Sequence, residues 1–186
     1  MIKAIQKKHL RLADDARYYE RRWDYMEAAI RVSARVSDQV LRVIEIGPYQ
    51  VPMFFGSTVI DKKPMLSRGA IAALAPKEII AHDITEPDWP VPPVSGDWPS
   101  LAVALQVWEH LEGKQVQAFE ELKRHATFAL LSFPFEWKTA DPNDCHRDVT
   151  RDIIESWTPG AKVMHEEVCA KPSPKRKRLI RLYDLR

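Results

Sequence analysis

The chain has 186 residues, 45% hydrophobic and 29% charged, with a formal net charge of +2. That length buries a real core within one domain, the small net charge alone makes no case for nucleic acid, and no apolar run approaches the roughly 18 residues of a membrane span. The only cysteines are Cys145 and Cys169, with no CxxC pair, which excludes a thiolate metal cluster and argues against a disulfide scaffold.

Taken in chain order, residues 10–40 carry a helical pattern in which Tyr19, Trp23, Met26 and Ile30 fall on one face. "VLRVIEI" then changes period to a short β-branched strand stopped by Gly47-Pro48, and "STVID" is a second strand ending at Asp61. "MLSRGAIAALA" reads as a weak helix with an internal glycine, and "KEIIAHDI" as a third strand ending near His82-Asp83. The stretch "TEPDWPVPPVSGDWPS" is a loop, because its prolines impose extended or turn geometry; Trp89 and Trp98 either form a lid over an acceptor or anchor the loop to the core. "LAVALQV" is the fourth strand. Residues 113–125 form a helix burying Val116, Phe119 and Leu122, and "TFALLSFPFEW" is a strand closed by Pro134. A short helix at 148–157 and two last strands, "AKVMHEEVCA" and "KRLIRLYDL", complete the chain.

This alternation predicts an α/β fold: an open, mostly parallel, doubly wound sheet with a C-terminal antiparallel hairpin. Residues 1–40 are expected to be an N-terminal helical extension packed on the 41–186 α/β unit, giving a single globular domain. In such sheets ligands settle outside the carboxyl ends of the strands, where strand order reverses. Glu45, Asp61, Asp83 and the stretch from Gln106 to His110 fall at those ends. Gly47 lets backbone approach a ligand, and an acid ending the second strand can accept from two ribose hydroxyls. An ordinary turn with a solvated Asp61 is the competing reading of the same spacing.

The run from Val43 to the C-terminus resembles the class I S-adenosylmethionine-dependent methyltransferases, on "VIEIGP", Asp61, Asp83-Ile84, "ALQVWEHL" and the final antiparallel pair. The resemblance implies a Rossmann-like methyltransferase fold and S-adenosylmethionine as cofactor. Glu45 and Gly47 would lie beside its methionine portion, Asp61 on the ribose, and Asp83 and Ile84 on the adenine. Tyr49, Gln106 and Trp108 join this cofactor set, with a core position as the alternative for Trp108. Tyr49 and Val51 stand where many relatives have glycine, which narrows the space for the cofactor's amino-acid tail.

Methyl transfer depends chiefly on positioning, and a base is needed only when the acceptor loses a proton. His110 and His146 are the candidate bases, against a local hydrogen bond for His110 and a plain surface role for His146. Phe135, Trp137 and Arg147 follow the fifth strand, where an acceptor would enter. Neither His82-Asp83 nor Asp144, His146 and Asp148 has a diagnostic ligand spacing, so no metal is assigned. The expected activity is methyl transfer to a small or medium acceptor in the cytoplasm. The alternative is a non-catalytic relative with a degenerate cofactor loop. Nucleic acid is disfavoured, because "KPSPKRKR" lies at a hairpin turn and no Asn/Asp-Pro-Pro-Tyr/Phe signature follows the fourth strand.

Overall fold

The computed structural model describes residues 2–94, 96, 98–141, 143–170 and 175–186. Among them the strands are β1 (Arg42–Ile46), β2 (Thr58–Asp61), β3 (Glu78–Ala81), β4 (Ser100–Leu105), β5 (Phe128–Phe135), β6 (Lys162–Cys169) and β7 (Lys177–Asp184). They form one sheet in the order β3-β2-β1-β4-β5-β7-β6. Pairings from β3 across to β5 are parallel, and β7 runs antiparallel to both β5 and β6. The chain therefore walks outward from β1 to β3 and returns to β4 on the other side of β1. The reversal of strand order falls between β1 and β4, and a crevice opens at their carboxyl ends.

Central strands covered on both faces read as unbroken apolar runs. β5 is buried at every position, and Val43 and Ile44 of β1 face opposite hydrophobic clusters. One cluster packs the sheet against α2 (Trp23–Ser33) and α3 (Arg68–Leu74), the other against α4 (Gln115–His125) and α5 (Arg151–Trp157). Pro134 does not close β5, which continues to Phe135. β4 ends opposite Ser132, so one edge of β5 has no ladder partner beyond that point and tolerates a residue without an N–H.

Two helix expectations need correction. Val116 of α4 is exposed, and the buried face is instead Gln115, Ala118, Phe119 and Leu122. Steps of three residues drift round a helix, leaving Val116 and Leu122 about 120° apart, so one stripe cannot bury both. The N-terminal pattern is not one helix either: a 3-10 turn over Lys7–Leu12 precedes α1 (Ala16–Glu20), which is separate from α2. The glycine inside α3 now has a reason. A Cβ on Gly69 would stand 3.1 Å from the Leu12 carbonyl oxygen, and Ser67, the α3 N-cap, also donates to that oxygen.

The break between α1 and α2 lies beside Tyr19, whose buried hydroxyl sits against the loop after β1. It accepts from the N–H groups of Gln50 and Val51 at 2.7 and 2.9 Å and donates to the Pro48 carbonyl at 3.0 Å. One donor and two lone pairs are thereby all used. Burial pushes this phenol well above its ordinary pKa. We expect Tyr19→Phe to lower stability by about 1–3 kcal/mol, because it strands two buried N–H groups. Urea unfolding measures that loss, and amide exchange should accelerate at Gln50 and Val51.

Candidate functional site

Gly47 forms the floor of the crevice. Its N–H donates to the Ile60 carbonyl at 2.9 Å, and its φ of +61° is one a side chain rarely adopts. A Cβ there would also meet Val107 Cγ2 at 3.0 Å. Above this turn lies a cavity of about 290 Å³, lined by Gly47, Asp61, Asp83, Ile84, Val107 and His110 among others. That is near the lower bound of small-ligand sites, roughly 300–1,000 Å³.

Asp61 uses Oδ1 to accept from the Lys63 N–H at 2.8 Å, and its Oδ2 faces the Gly47 turn, 4.0 Å from where a Cβ would stand. Partial burial raises its pKa. Asp83 is the opposite case. Lys62 lies 2.9 Å from Oδ2, and the N–H and hydroxyl of Thr85 both donate to Oδ1, which together hold the carboxyl well below the usual carboxylate range. Consecutive strand ends thus present two acids around one glycine turn. Lys62 and Lys114 line the same cavity.

Four residues expected at the cofactor do not line this cavity: Glu45 and Tyr49 line a smaller hollow beside it, and Gln106 and Trp108 line neither. Glu45 precedes the last residue of β1, so strand alternation turns it away from the crevice. Its carboxylate accepts from the N–H groups of Met53 and Phe54 at 2.5 and 2.9 Å and lies 2.6 Å from Ser57 Oγ. Tyr49, at φ 58°, folds back over Tyr18 and Tyr19. Gln106 turns toward Ser132, with Nε2 3.3 Å from its hydroxyl. Trp108 is 1% exposed and packs edge-on to Phe119 in the core. The positive φ of Gln106 displaces the register at the end of β4, so that Val107 faces the crevice between these two neighbours. Lys62, Thr85, Leu111, Glu112 and Lys114 were not read from sequence. The Asp61-Lys62 and Asp83-Thr85 neighbourhoods were the available signal.

A smaller hollow, about 60 Å³, meets the crevice at Ile46 and Gly47 and is lined by Tyr18, Arg22 and Tyr49. Val51 is buried in the core and lines this hollow but not the larger cavity. Among the described residues of the Trp-Pro loop, neither tryptophan lines this end of the sheet. Trp89 is buried, donates Nε1–H to the Ile84 carbonyl at 3.1 Å and stacks on His125, while the exposed Trp98 lines a different cavity beside the start of β1.

His110 lines the crevice, and His146 sits behind it with ring centroids 5.0 Å apart. Burial, with His146 beside it, lowers the His110 pKa, which favours a neutral ring. His146 Nδ1 lies 2.6 Å from Asp144 Oδ1, and the ring stacks on Trp137. Trp137 and Phe135 are both buried, under Arg178 and Arg151 respectively, whereas Arg147 is exposed and pairs with Asp148. Next to His110, burial drives the Glu109 carboxyl up to about 8.

No family model and no curated protein matches the chain. Solved structures do. The N-methyltransferase NodS from Bradyrhizobium japonicum WM9 is 17% identical with a TM-score of 0.61, over 91% of this chain and 98% of that one. A putative methyltransferase of Haloferax volcanii, solved with the Trm112 activator, is 10% identical with a TM-score of 0.61, covering 94% and 93%. The 1,6-didemethyltoxoflavin-N1-methyltransferase of Burkholderia thailandensis is 9% identical with a TM-score of 0.57, covering 98% and 94%. The chain has the class I methyltransferase fold. Within that fold, Gly47 stands at the switch point and Asp61 at the end of the neighbouring β2, and the N-terminal helices cover the loop joining β1 to β2.

The Glu45 knot carries a pH signature. Burial raises its pKa from 4.5 to about 7, against the three hydrogen bonds that lower it. A carboxyl raised on folding adds stability fully below pH 4.5, and that contribution is lost as pH rises through about 7. The loss is on the order of 3 kcal/mol. Urea unfolding across pH 4–8 should show wild type weakening over this window and Glu45→Gln following a flatter course.

Proposed function

We propose that the chain transfers a methyl group from S-adenosylmethionine to a small or medium acceptor. The observation that carries this reading is the crevice itself, in which Asp61 and Asp83 end neighbouring strands around the Gly47 turn, at the point where strand order reverses. Bound there, the cofactor supplies a methyl group on a positive sulfur, open to in-line displacement. Asp61 Oδ2 would accept from the ribose hydroxyls. Asp83, released from Lys62, would accept from the adenine amino group, with Ile84 and Val107 against the ring faces. The amino-acid tail would run over Gly47 toward Arg22, whose guanidinium suits a carboxylate.

The acceptor would enter beside His110. A neutral imidazole there can take up a proton as the nucleophile loses it, and Asp144 holds the neighbouring His146 ring in place. Phe135 and Trp137 would back this region from the core, with the exposed Arg147 next to His146 in the chain. NodS and the toxoflavin methyltransferase have both been solved with S-adenosylhomocysteine, and the second also with its small-molecule acceptor, which supports the reading by likeness of fold.

Nucleic acid as substrate has little support. Arg181 is buried and paired with Glu155 and Glu166, Arg186 pairs with Asp184, and Arg178 is buried over Tyr25 and Trp137. Residues 171–174 of the basic stretch lie outside the described residues. Action in the cytoplasm accompanies the proposal. No helix among the described residues is long and apolar enough to cross a membrane.

A second reading, a non-catalytic relative, draws on the Tyr19 contacts. They occupy the Gln50 and Val51 amides, and the hollow left for the amino-acid tail is small. Calorimetric titration with S-adenosylmethionine and S-adenosylhomocysteine separates the two. We expect micromolar binding, weakened about 10–100-fold in Asp61→Ala through lost charged hydrogen bonds. A folded, monodisperse sample that binds neither ligand overturns the enzyme reading.

A further inference from the structure

His110, from the turn after β4, meets Cys145 and His146, from the loop after β5. One donor atom from each lies within 4.8 Å of the others. Cys145 Sγ is 3.4 Å from His110 Nδ1 and 3.5 Å from His146 Nδ1. Around a tetrahedral zinc, with Zn–S about 2.3 Å and Zn–N about 2.0–2.1 Å, the sulfur-to-nitrogen edge is about 3.6 Å. Both sulfur-to-nitrogen distances already stand close to that edge. A thiol has one proton to share, so it cannot donate to both imidazoles at once.

A second observation comes from below the cluster. The Glu109 side chain is fully buried, and neither of its oxygens has a hydrogen-bond partner among the described residues. Its Oε1 lies 3.8 Å from His146 Nε2. Burying a carboxylate without a partner is costly. Metal-bound histidines commonly donate their other ring N–H to a carboxylate, which fixes the tautomer. A dication on His146 Nδ1 would supply both that N–H and a compensating charge. Trp137, stacked 14° from parallel on the His146 ring, holds the ring plane. Asp144 Oδ1, 2.6 Å from His146 Nδ1, is a fourth donor within reach of a side-chain rotation.

We propose that His110, Cys145 and His146 bind one zinc-type divalent ion, with Glu109 accepting from the far nitrogen of His146. Two imidazoles and a thiolate select zinc-like metals over magnesium or calcium. Binding releases the thiol proton to solvent. Because His110 lines the crevice, the ion would sit at its rim, with the fourth position taken by Asp144 or by a lone pair of the acceptor. That last role rests on the methyl-transfer reading, whereas the metal site does not. It specifies an acceptor with a nitrogen, oxygen or sulfur nucleophile, whose proton is made more acidic by the ion and is released to solvent. With both histidine lone pairs occupied, the ion replaces the imidazole as the activating group.

The test is anaerobic titration of cobalt(II) into the full-length, chelator-treated, reduced protein. One equivalent should give tetrahedral d–d bands and a thiolate-to-cobalt charge-transfer band, both displaced by zinc. Cys145→Ser, at an exposed position, should lose the charge-transfer band, and His146→Ala should weaken cobalt affinity at least 10-fold, with circular dichroism checking that both fold. Absence of the band in wild type, or its persistence in Cys145→Ser, overturns the proposal. Calorimetry with S-adenosylhomocysteine on the same samples keeps the two readings apart. Cobalt binding without S-adenosylhomocysteine binding upholds the metal site and overturns the methyl-transfer reading, and the converse overturns the metal site alone.

Discussion

A crossover that joins two parallel strands without a helix leaves its backbone N–H groups in need of partners. In this chain the segment from Gly47 to Ser57 is such a crossover; the Lys3 and Leu74 carbonyls take the amides of Phe55 and Gly56, and two buried side chains take four more. Glu45 takes the amides of Met53 and Phe54, and Tyr19 takes those of Gln50 and Val51. An unpaired buried amide costs about 1–3 kcal/mol, so these two groups fix the course of the loop. The position of Gly47, and with it the mouth of the crevice, follows.

The crevice is built on charge as much as shape. Asp61 is pushed toward the neutral form by burial, while Asp83 is held as an anion by Lys62 and Thr85. The two carboxylates are thereby set differently, although both end strands that pair in register. On the far side, His110 leads to a second polar group that is separate from the acids, reaching through His146 to Asp144 and Glu109. The sheet gathers these residues from the ends of several strands onto one edge, which is what the α/β architecture makes possible.

Much of this was legible in the residues. The parallel strands announce themselves as short β-branched runs with hard stops, and Gly47, Asp61 and Asp83 sit where such runs end. The N-terminal face was read correctly at Tyr19, Trp23 and Met26, all buried. What could not be read are contacts that link distant positions. Nothing near Glu45 in sequence says that its partners are residues 53–57 rather than a ligand. A single left-handed residue, Gln106, decides whether Val107 or Trp108 faces the crevice, and periodicity does not encode it. The His110–Cys145 contact spans 35 positions and has no spacing signature.

Tyr19 also changes where the sequence constraint on the loop resides. A glycine-rich loop carries its conformational tolerance within its own residues. This one borrows order from a phenol 31 positions before Gln50. Residues 48–51 are therefore free to bear side chains so long as that hydroxyl stays in place. Across descendants of this chain, position 19 and the loop would have to change together. Removing the chain through α1 would free a loop that has too little glycine to settle by itself.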